Sequence, residues 1–464
     1  VSGVARVSPG DPPVEWQVDV PGSKSLTNRA LLVAAVADGT SRLANPLVAD
    51  DTMVMRAALE TLGVEVTEFD GGLRVGGLAG PPTRPASLYC GMGGTVGRFL
   101  VAMLAAGRGR FELDAHAQLR RRPLGPVLDA LRAQGAQIDG EAFPLVVTAG
   151  GLAGGPMSVD TALSSQFLSG LMLAAPLARA PTSFAFDTPV SRPYLDLTAA
   201  VMRAFGARVV LEEHSVQIDP GPYRATDYAV EPDASTASYF LAAAALSATT
   251  VTVPGLMRQR TGQGDIVLVD HLVSMGAQAT DTTVGLTLTG PTQTLHGVHV
   301  NMADASDVFM TLACVAPFAD SPTTIEGLAN VRVKESDRLA ATAENLRRLG
   351  IEVEEGPDFI RVHPGTPRAG VRLPTYDDHR IAMAFSLIGT RVAVELEAPR
   401  VVDKTCPGFW ELWTRSGAEV TLTGVGGAVS QTNTDAVTDT DAVTDTDAVT
   451  DAGADAGAEA GSWS

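Results

Sequence analysis

Ala58-Leu59-Glu60-Thr61-Leu62-Gly63-Val64-Glu65-Val66 reads as the end of a helix, a glycine, and the start of a strand. Glycine belongs at that junction because the chain leaves a helix there with positive φ, which other residues adopt at a cost. The same pattern returns at 130–138, 201–209, 271–279, 345–353 and 412–420. The six glycines, Gly63, Gly135, Gly206, Gly276, Gly350 and Gly417, are spaced by 72, 71, 70, 74 and 67 residues. One helix–glycine–strand junction is common in any α/β protein. Six at a near-constant interval predict an internal repeat of roughly seventy residues.

Each repeat has room for about two helices and three or four strands. Six such units exceed a single core, so the sequence predicts an α/β (α+β) chain of two three-repeat domains. The turn-rich stretch 220–227 is the expected crossing between them. The short strand before the first full unit is expected to join the second half. The expected division is therefore 21–227 for one domain and 1–20 plus 228–425 for a discontinuous second. The remainder, 426–464, repeats Thr-Asp-Ala-Val-Thr-Asp and reads as a disordered acidic tail. Its removal is expected to leave activity unchanged.

The chain has 464 residues, 45% of them hydrophobic and 5% aromatic, which fits an Ala/Val/Leu core. No apolar run reaches the eighteen or so residues of a membrane span, and no basic-then-apolar leader opens the sequence. Cys90, Cys314 and Cys406 are odd in number and far apart, which predicts neither a disulfide framework nor a zinc cluster. The net charge is −19, but eight acidic residues sit in the tail after Ser430, leaving −11 for the rest. An acidic balance opposes nucleic-acid binding, yet a local basic pocket for a phosphorylated ligand is compatible with it.

Polar clusters recur where helices are expected to begin. Pro21-GSKSLTN-Arg29 offers hydroxyls, Lys24 and Arg29 at the start of a helix over 26–37, with Ser23 or Ser25 as its cap. Gly93 and Gly94 make a Gly-rich entry to a helix expected over 99–106, with Arg98 about one turn on from them, and Arg122 precedes another. Ser164, Ser165 and Gln166 begin a further helix; Ser191, Arg192 and Tyr194 lead into one over 195–204. The second half adds carboxylates. Asp307 enters an apolar helix, a costly placement unless the group caps, pairs or works. Asn330, Lys334, Glu335 and Arg338 form the densest charged cluster, in which Lys334 and Arg338 are expected on one helical face with Glu335 turned aside. His379 and Arg380 precede the apolar stretch 381–388, and Lys404 leads into the last helix. Inward-pointing helix starts would make a cleft that attracts anions. No Walker loop, dinucleotide fingerprint or metal-ligand cluster is present, so neither cofactor nor metal is expected.

These motifs resemble the 5-enolpyruvylshikimate-3-phosphate synthase (3-phosphoshikimate 1-carboxyvinyltransferase) family. The matching stretches are PGSKSLTNRA from Pro21, GGTVGR from Gly93, RPLG from Arg122 and SSQFLSG from Ser164. They continue with SRPYLD from Ser191, PDASTASYF from Pro232, VRVKESDRL from Val331, DDHRIAMA from Asp377 and DKTCPGFW from Asp403. They run in family order to about Leu422. The resemblance implies two domains of three βαβαββ units closing on substrate, and transfer of the enolpyruvyl group of phosphoenolpyruvate to the 5-hydroxyl of shikimate 3-phosphate. It assigns shikimate 3-phosphate to Lys24, Ser25, Arg29, Ser164, Ser165, Gln166, Ser191, Tyr194, Asp307, Asn330 and Lys334. Phosphoenolpyruvate falls to Lys24, Gly94, Arg122, Gln166, Arg338, Arg380 and Lys404. Asp307 is the implied base, and Glu335 and Lys24 are the implied proton donors. No nucleic acid or membrane partner is implied, and a cytoplasmic monomer is expected.

Three positions depart from the family pattern: Met92 stands where many members have Asn, Gly93 for a common Ala and Phe99 for a common Pro. Gly94 is kept, which predicts sensitivity to glyphosate at the phosphoenolpyruvate site. The alternative is the enolpyruvyl transferase acting on UDP-N-acetylglucosamine, which typically carries a reactive Cys in the loop corresponding to 115–122. That loop has none here.

Overall fold

In the computed structural model, which describes residues 3–187 and 191–424, the six repeat units appear as six four-stranded sheets. The tail predicted at 426–464 lies outside the described residues. In every sheet one edge strand pairs in parallel with its neighbour and the other pairings are antiparallel. The strand that follows each repeat glycine forms an edge of its sheet: Glu65–Phe69, Gln137–Asp139, Val209–Leu211, Gln278–Asp281, Val353–Glu355 and Glu419–Thr423. All six glycines have positive φ, between 84° and 117°. At Gly63 the preceding helix closes with Gly63 N–H donating to Glu60 O and Val64 N–H to Leu59 O, the paired bonds that satisfy carbonyls at a helix end.

Strand burial alternates. Thr40–Ala44 reads exposed, buried, exposed, buried, exposed, so one face of each sheet covers a core. Inside the sheets lie helices that are apolar on nearly every side and consequently buried all round. Lys24–Val36, Gly94–Ala105 and Gln166–Ala174 occupy the first half; Ala234–Ser247, Phe309–Val315 and His379–Gly389 occupy the second. Two separate apolar cores result. One is built from residues between Leu26 and Val230, the other from Ala5 to Val20 together with Ala234 to Ala418.

The N-terminal strands Val4–Ser8 and Glu15–Gln17 pair with sheets of the second half. The stretch 220–227 does not carry the chain across, because it runs into Asp227–Ala229, which still pairs with Thr40–Ala44. The chain crosses at 230–233, beside its first crossing at 20–23. Ser23 N–H donates to Glu231 O at 2.8 Å and Asp233 N–H to Pro21 O at 2.9 Å, so the two connections are tied together. Gly22 is required there: a Cβ would lie 2.0 Å from Asn45 O. Among the described residues no helix is long and apolar enough to cross a membrane.

Candidate active site

Five of the six inner helices bring their N-terminal ends to one cavity. The first half contributes Lys24, Ser25, Arg29, Gly94, Thr95, Arg122, Ser164, Ser165, Gln166, Ser191 and Tyr194. The second contributes Asp307, Asn330, Lys334, Glu335, Arg338 and Arg380. Every residue that the family resemblance assigned to substrate or proton transfer lines this cavity except Lys404, which stands behind it with Nζ 3.1 Å from Glu335 Oε1. The sixth helix, Ala234–Ser247, starts elsewhere. Asp233 and Ser235 line a smaller cavity with Ser23, Ser25, Tyr194 and Asp265.

Two carboxylates face this concentration of cations. Asp307 is contacted by Arg338 at 2.9 Å, and by Lys334 and Arg380 at 3.2 Å each. Glu335 is contacted by Arg338 at 2.8 Å, Lys404 at 3.1 Å and, from the first half, Arg122 at 3.6 Å. Burial alone would raise both carboxyls. For Asp307, Lys334, Arg380 and Arg338 overcome it; for Glu335, Lys404, Arg338 and Arg122 do. Both end well below the ordinary carboxylate range, so both are ionised. Lys24 shifts the opposite way. Burial draws its ammonium below the usual lysine value, Asp51 at 3.3 Å opposes this, and Lys404 and Arg380 add to the lowering.

Residues 10–413 match the sequence profile of EPSP synthase (3-phosphoshikimate 1-carboxyvinyltransferase). The chain belongs to the EPSP synthase family. It is 41% identical over 409 residues to the 3-phosphoshikimate 1-carboxyvinyltransferase of Nostoc punctiforme, covering 86% of this chain and 95% of the relative. It is 42% identical over 416 residues to the enzyme of that name from Yersinia pestis, covering 87% and 96%. The solved EPSP synthase of Acinetobacter baumannii superposes with a TM-score of 0.79 at 27% identity, covering 91% of this chain and all of that one. The EPSP synthase architecture is thus the fold of this chain.

Against that fold, several local expectations change. The helix at Lys24 starts two residues earlier than predicted, and neither serine caps it. Asp233 does so from the opposite crossing segment, accepting the Lys24 N–H at 3.2 Å. Lys334 and Glu335 are not on a helix with Arg338. Asp337 caps the helix Arg338–Arg348 by accepting from Ala340 N–H, so the residues before it are irregular. Glu335 therefore curls back onto Arg338 instead of turning aside. Arg29 spends four of its five N–H donors inside the protein: it donates to Thr198 Oγ1 at 2.8 Å, Ser25 O at 3.0 Å, and Ser169 Oγ and Tyr194 O at 3.4 Å each. It also lies over the Phe99 ring at 5.0 Å, which gives that departure from the family pattern a packing role.

Three supporting residues stand outside the predicted set. Asp378, fully buried, accepts from Arg338 Nε at 2.8 Å and from Ser336 Oγ at 3.0 Å, fixing the guanidinium that both carboxylates share. Arg98 donates to Gln166 Oε1 at 2.6 Å and to Pro123 O at 2.9 Å, positioning Gln166 and the backbone next to Arg122. Asp51 pairs with Lys24. Asp378 and Arg98 sit inside the quoted motifs, but only the fold shows that they face the site side chains. Asp51 lay in no motif.

Proposed function

We propose that the protein transfers the enolpyruvyl group of phosphoenolpyruvate to the 5-hydroxyl of shikimate 3-phosphate and releases inorganic phosphate. The observation that carries this reading is the convergence of Lys24, Arg122, Lys334, Arg338, Arg380 and Lys404 from both halves around two ionised carboxylates. Such a site suits two polyanionic substrates and one exchange of protons. The hydroxyls of Ser164, Ser165 and Ser191 at helix starts take the 3-phosphate, with Ser25, Arg29, Gln166, Tyr194, Asn330 and Lys334 around the ring. Gly94, Arg122, Arg338, Arg380 and Lys404 take phosphoenolpyruvate.

In the addition step the 5-hydroxyl oxygen attacks C2 of phosphoenolpyruvate, Asp307 receives the hydroxyl proton, and C3 gains a proton to become a methyl group. In the elimination step the C2–O bond to phosphate breaks, the methyl group returns a proton, and the enol ether forms. Lys24 carries the proton for C3. Glu335, ionised, is suited to take the proton back. When substrate anions draw on Arg122, Arg338 and Lys404, the field that keeps Glu335 ionised weakens and it becomes a better base and carrier. Cations neutralise the departing phosphate.

Asp307 and Glu335 lie on the second half and most of the phosphate cradle on the first. We place the domain division at the paired crossings 20–23 and 230–233, a few residues beyond the 227/228 boundary expected from the sequence, with the cleft as the reaction chamber. A monomer acting in the cytoplasm belongs to the same reading. UDP-N-acetylglucosamine is the second acceptor considered, and the cysteines speak against it. Cys90, Cys314 and Cys406 are buried, and burial pushes Cys90 and Cys406 up to about 12 and Cys314 above the ordinary thiol range.

The test is phosphate release from phosphoenolpyruvate with and without shikimate 3-phosphate. Release that requires shikimate 3-phosphate and is lost in Glu335→Gln or Asp307→Asn supports the reading. Release only with UDP-N-acetylglucosamine replaces it with the second acceptor, and no release with either rejects enolpyruvyl transfer.

A further inference from the structure

The segment 191–194 carries two groups placed on the acceptor phosphate side, Ser191 and Tyr194, and it is held from the opposite half. Ser191 adopts φ of 59°, a left-handed conformation that costs an L residue free energy and persists only where surrounding contacts enforce it. Those contacts come from the second half. Ser191 Oγ donates to Ala303 O at 3.2 Å and accepts from Asn330 Nδ2 at 3.5 Å. The next residue, Arg192, is the N-cap of the helix Pro193–Ala204, and no side chain of its own segment caps that helix. Instead, Arg192 N–H donates to Asp304 Oδ1 at 3.0 Å. A carboxylate from one half thus sits at the positive end of a helix in the other.

Steric fit reinforces the same seam. A Cβ at Gly264 would lie 2.7 Å from both Cβ and Cγ of Pro193 and 3.0 Å from Asp304 O. Pro193, Gly264 and Asp304 therefore meet with no space to spare. Asp304 lines neither cavity, so any effect it has on substrate passes through the segment it holds.

We propose that Asp304 is a positioning residue: by capping Arg192 across the cleft it holds Ser191 and Tyr194 where they grip the acceptor phosphate. This rests on the shikimate 3-phosphate reading above. The contact forms only when the halves meet, so it couples closure to the shape of the phosphate cradle. It adds no group to the chemistry, and it should therefore act on acceptor affinity and spare turnover.

The experiment compares wild type, Asp304→Ala, Asp304→Asn and Gly264→Ala in the full chain. It measures KM for shikimate 3-phosphate, kcat, and amide hydrogen exchange at Arg192. Asp304→Ala should raise KM for shikimate 3-phosphate about fivefold, the worth of one partly exposed charge-assisted hydrogen bond, with kcat within about twofold. Asp304→Asn, whose amide oxygen still accepts, should recover part of that loss. Gly264→Ala should raise the same KM by wedging Pro193 away. Exchange at Arg192 should accelerate in Asp304→Ala and not in Asp304→Asn. An unchanged KM in Asp304→Ala, or a fall in kcat at constant KM, would overturn the proposal. Wild type that does not use shikimate 3-phosphate at all would instead reject the functional reading beneath it.

Discussion

Asp307 and Glu335 are joined through a single guanidinium: Arg338 donates from Nη1 to Asp307 Oδ1 at 2.9 Å and from Nη2 to Glu335 Oε2 at 2.8 Å. Asp378 fixes that guanidinium from behind through Nε at 2.8 Å. The two carboxylates therefore do not titrate independently, since a proton gained by one releases part of the cation to the other. On the proposed roles, this links the base for the hydroxyl to the partner of the methylene carbon, as a two-step addition and elimination needs.

If Glu335 exchanges the proton at C3, Glu335→Gln removes that exchange while keeping the shape of the side chain. Turnover should fall by about 10²–10⁴, the usual worth of a positioned general acid or base, with substrate affinity changed far less. Solvent deuterium incorporation into the methylene group of phosphoenolpyruvate should fall in step. Turnover within threefold of wild type would remove Glu335 from the proton path.

If Lys24 donates the proton to C3, its titration sets the alkaline limit of the rate. Its proton must be present for donation, and burial lowers its affinity for that proton. The alkaline limb of kcat should therefore lie below the range of an ordinary lysine. Asp51→Asn should move the limb to lower pH still, because the carboxylate opposing the shift is lost. Lys24→Arg should abolish the limb along with most turnover. A limb unmoved by Asp51→Asn would show that another group sets it.

A buried carboxyl at the junction of the halves makes stability depend on pH. Asp265 lines the smaller cavity, its Oδ1 has no hydrogen-bond partner, and no cation pairs with it among the described residues. Burial raises it from 3.8 to about 6. A group raised on folding stabilises fully below its unfolded value, and this stabilisation is lost as pH rises through about 6. Above that, ionisation destabilises the fold by roughly 2–3 kcal/mol. Asp265→Asn should therefore melt at a higher temperature than wild type at pH 8, with the advantage shrinking steadily as pH falls from 6 to 4.5. Parallel melting curves for the two proteins from pH 4.5 to 8 would exclude an ionising Asp265.

The architecture was legible because its rule is local: a glycine that must take positive φ at each helix-to-strand junction marks every unit. The residues lining the site were legible because they sit at helix starts, where polar groups in an otherwise apolar chain stand out. What stayed hidden depends on distance along the chain. Asp51 and Lys24 lie in different elements, and so do Arg98 and Gln166. Asp304 acts on Arg192 from 112 residues away. The misread helix around Lys334 has a different cause. Spacing alone placed Lys334 and Arg338 on one face, whereas Asp337, a strong capping residue, starts the helix only at Arg338.

Gly94 gives the last prediction, through Arg122. A Cβ at Gly94 would lie 2.7 Å from Arg122 Nη1 and 2.9 Å from Cζ, so Gly94→Ala must push the guanidinium aside. Arg122 also reaches Glu335 across the cleft at 3.6 Å, and moving it loosens the phosphoenolpyruvate side from both ends. Gly93 and Met92 do not reproduce this. Met92 does not line the cavity, and a Cβ at Gly93 would press on Val96 and Asp51, away from Arg122. With Gly94 in place, the protein should be inhibited by glyphosate competing with phosphoenolpyruvate. Gly94→Ala should raise KM for phosphoenolpyruvate by about tenfold and weaken glyphosate inhibition by more, because the bulkier anion needs the space that the methyl group takes. Wild-type activity unchanged in millimolar glyphosate would reject the predicted sensitivity.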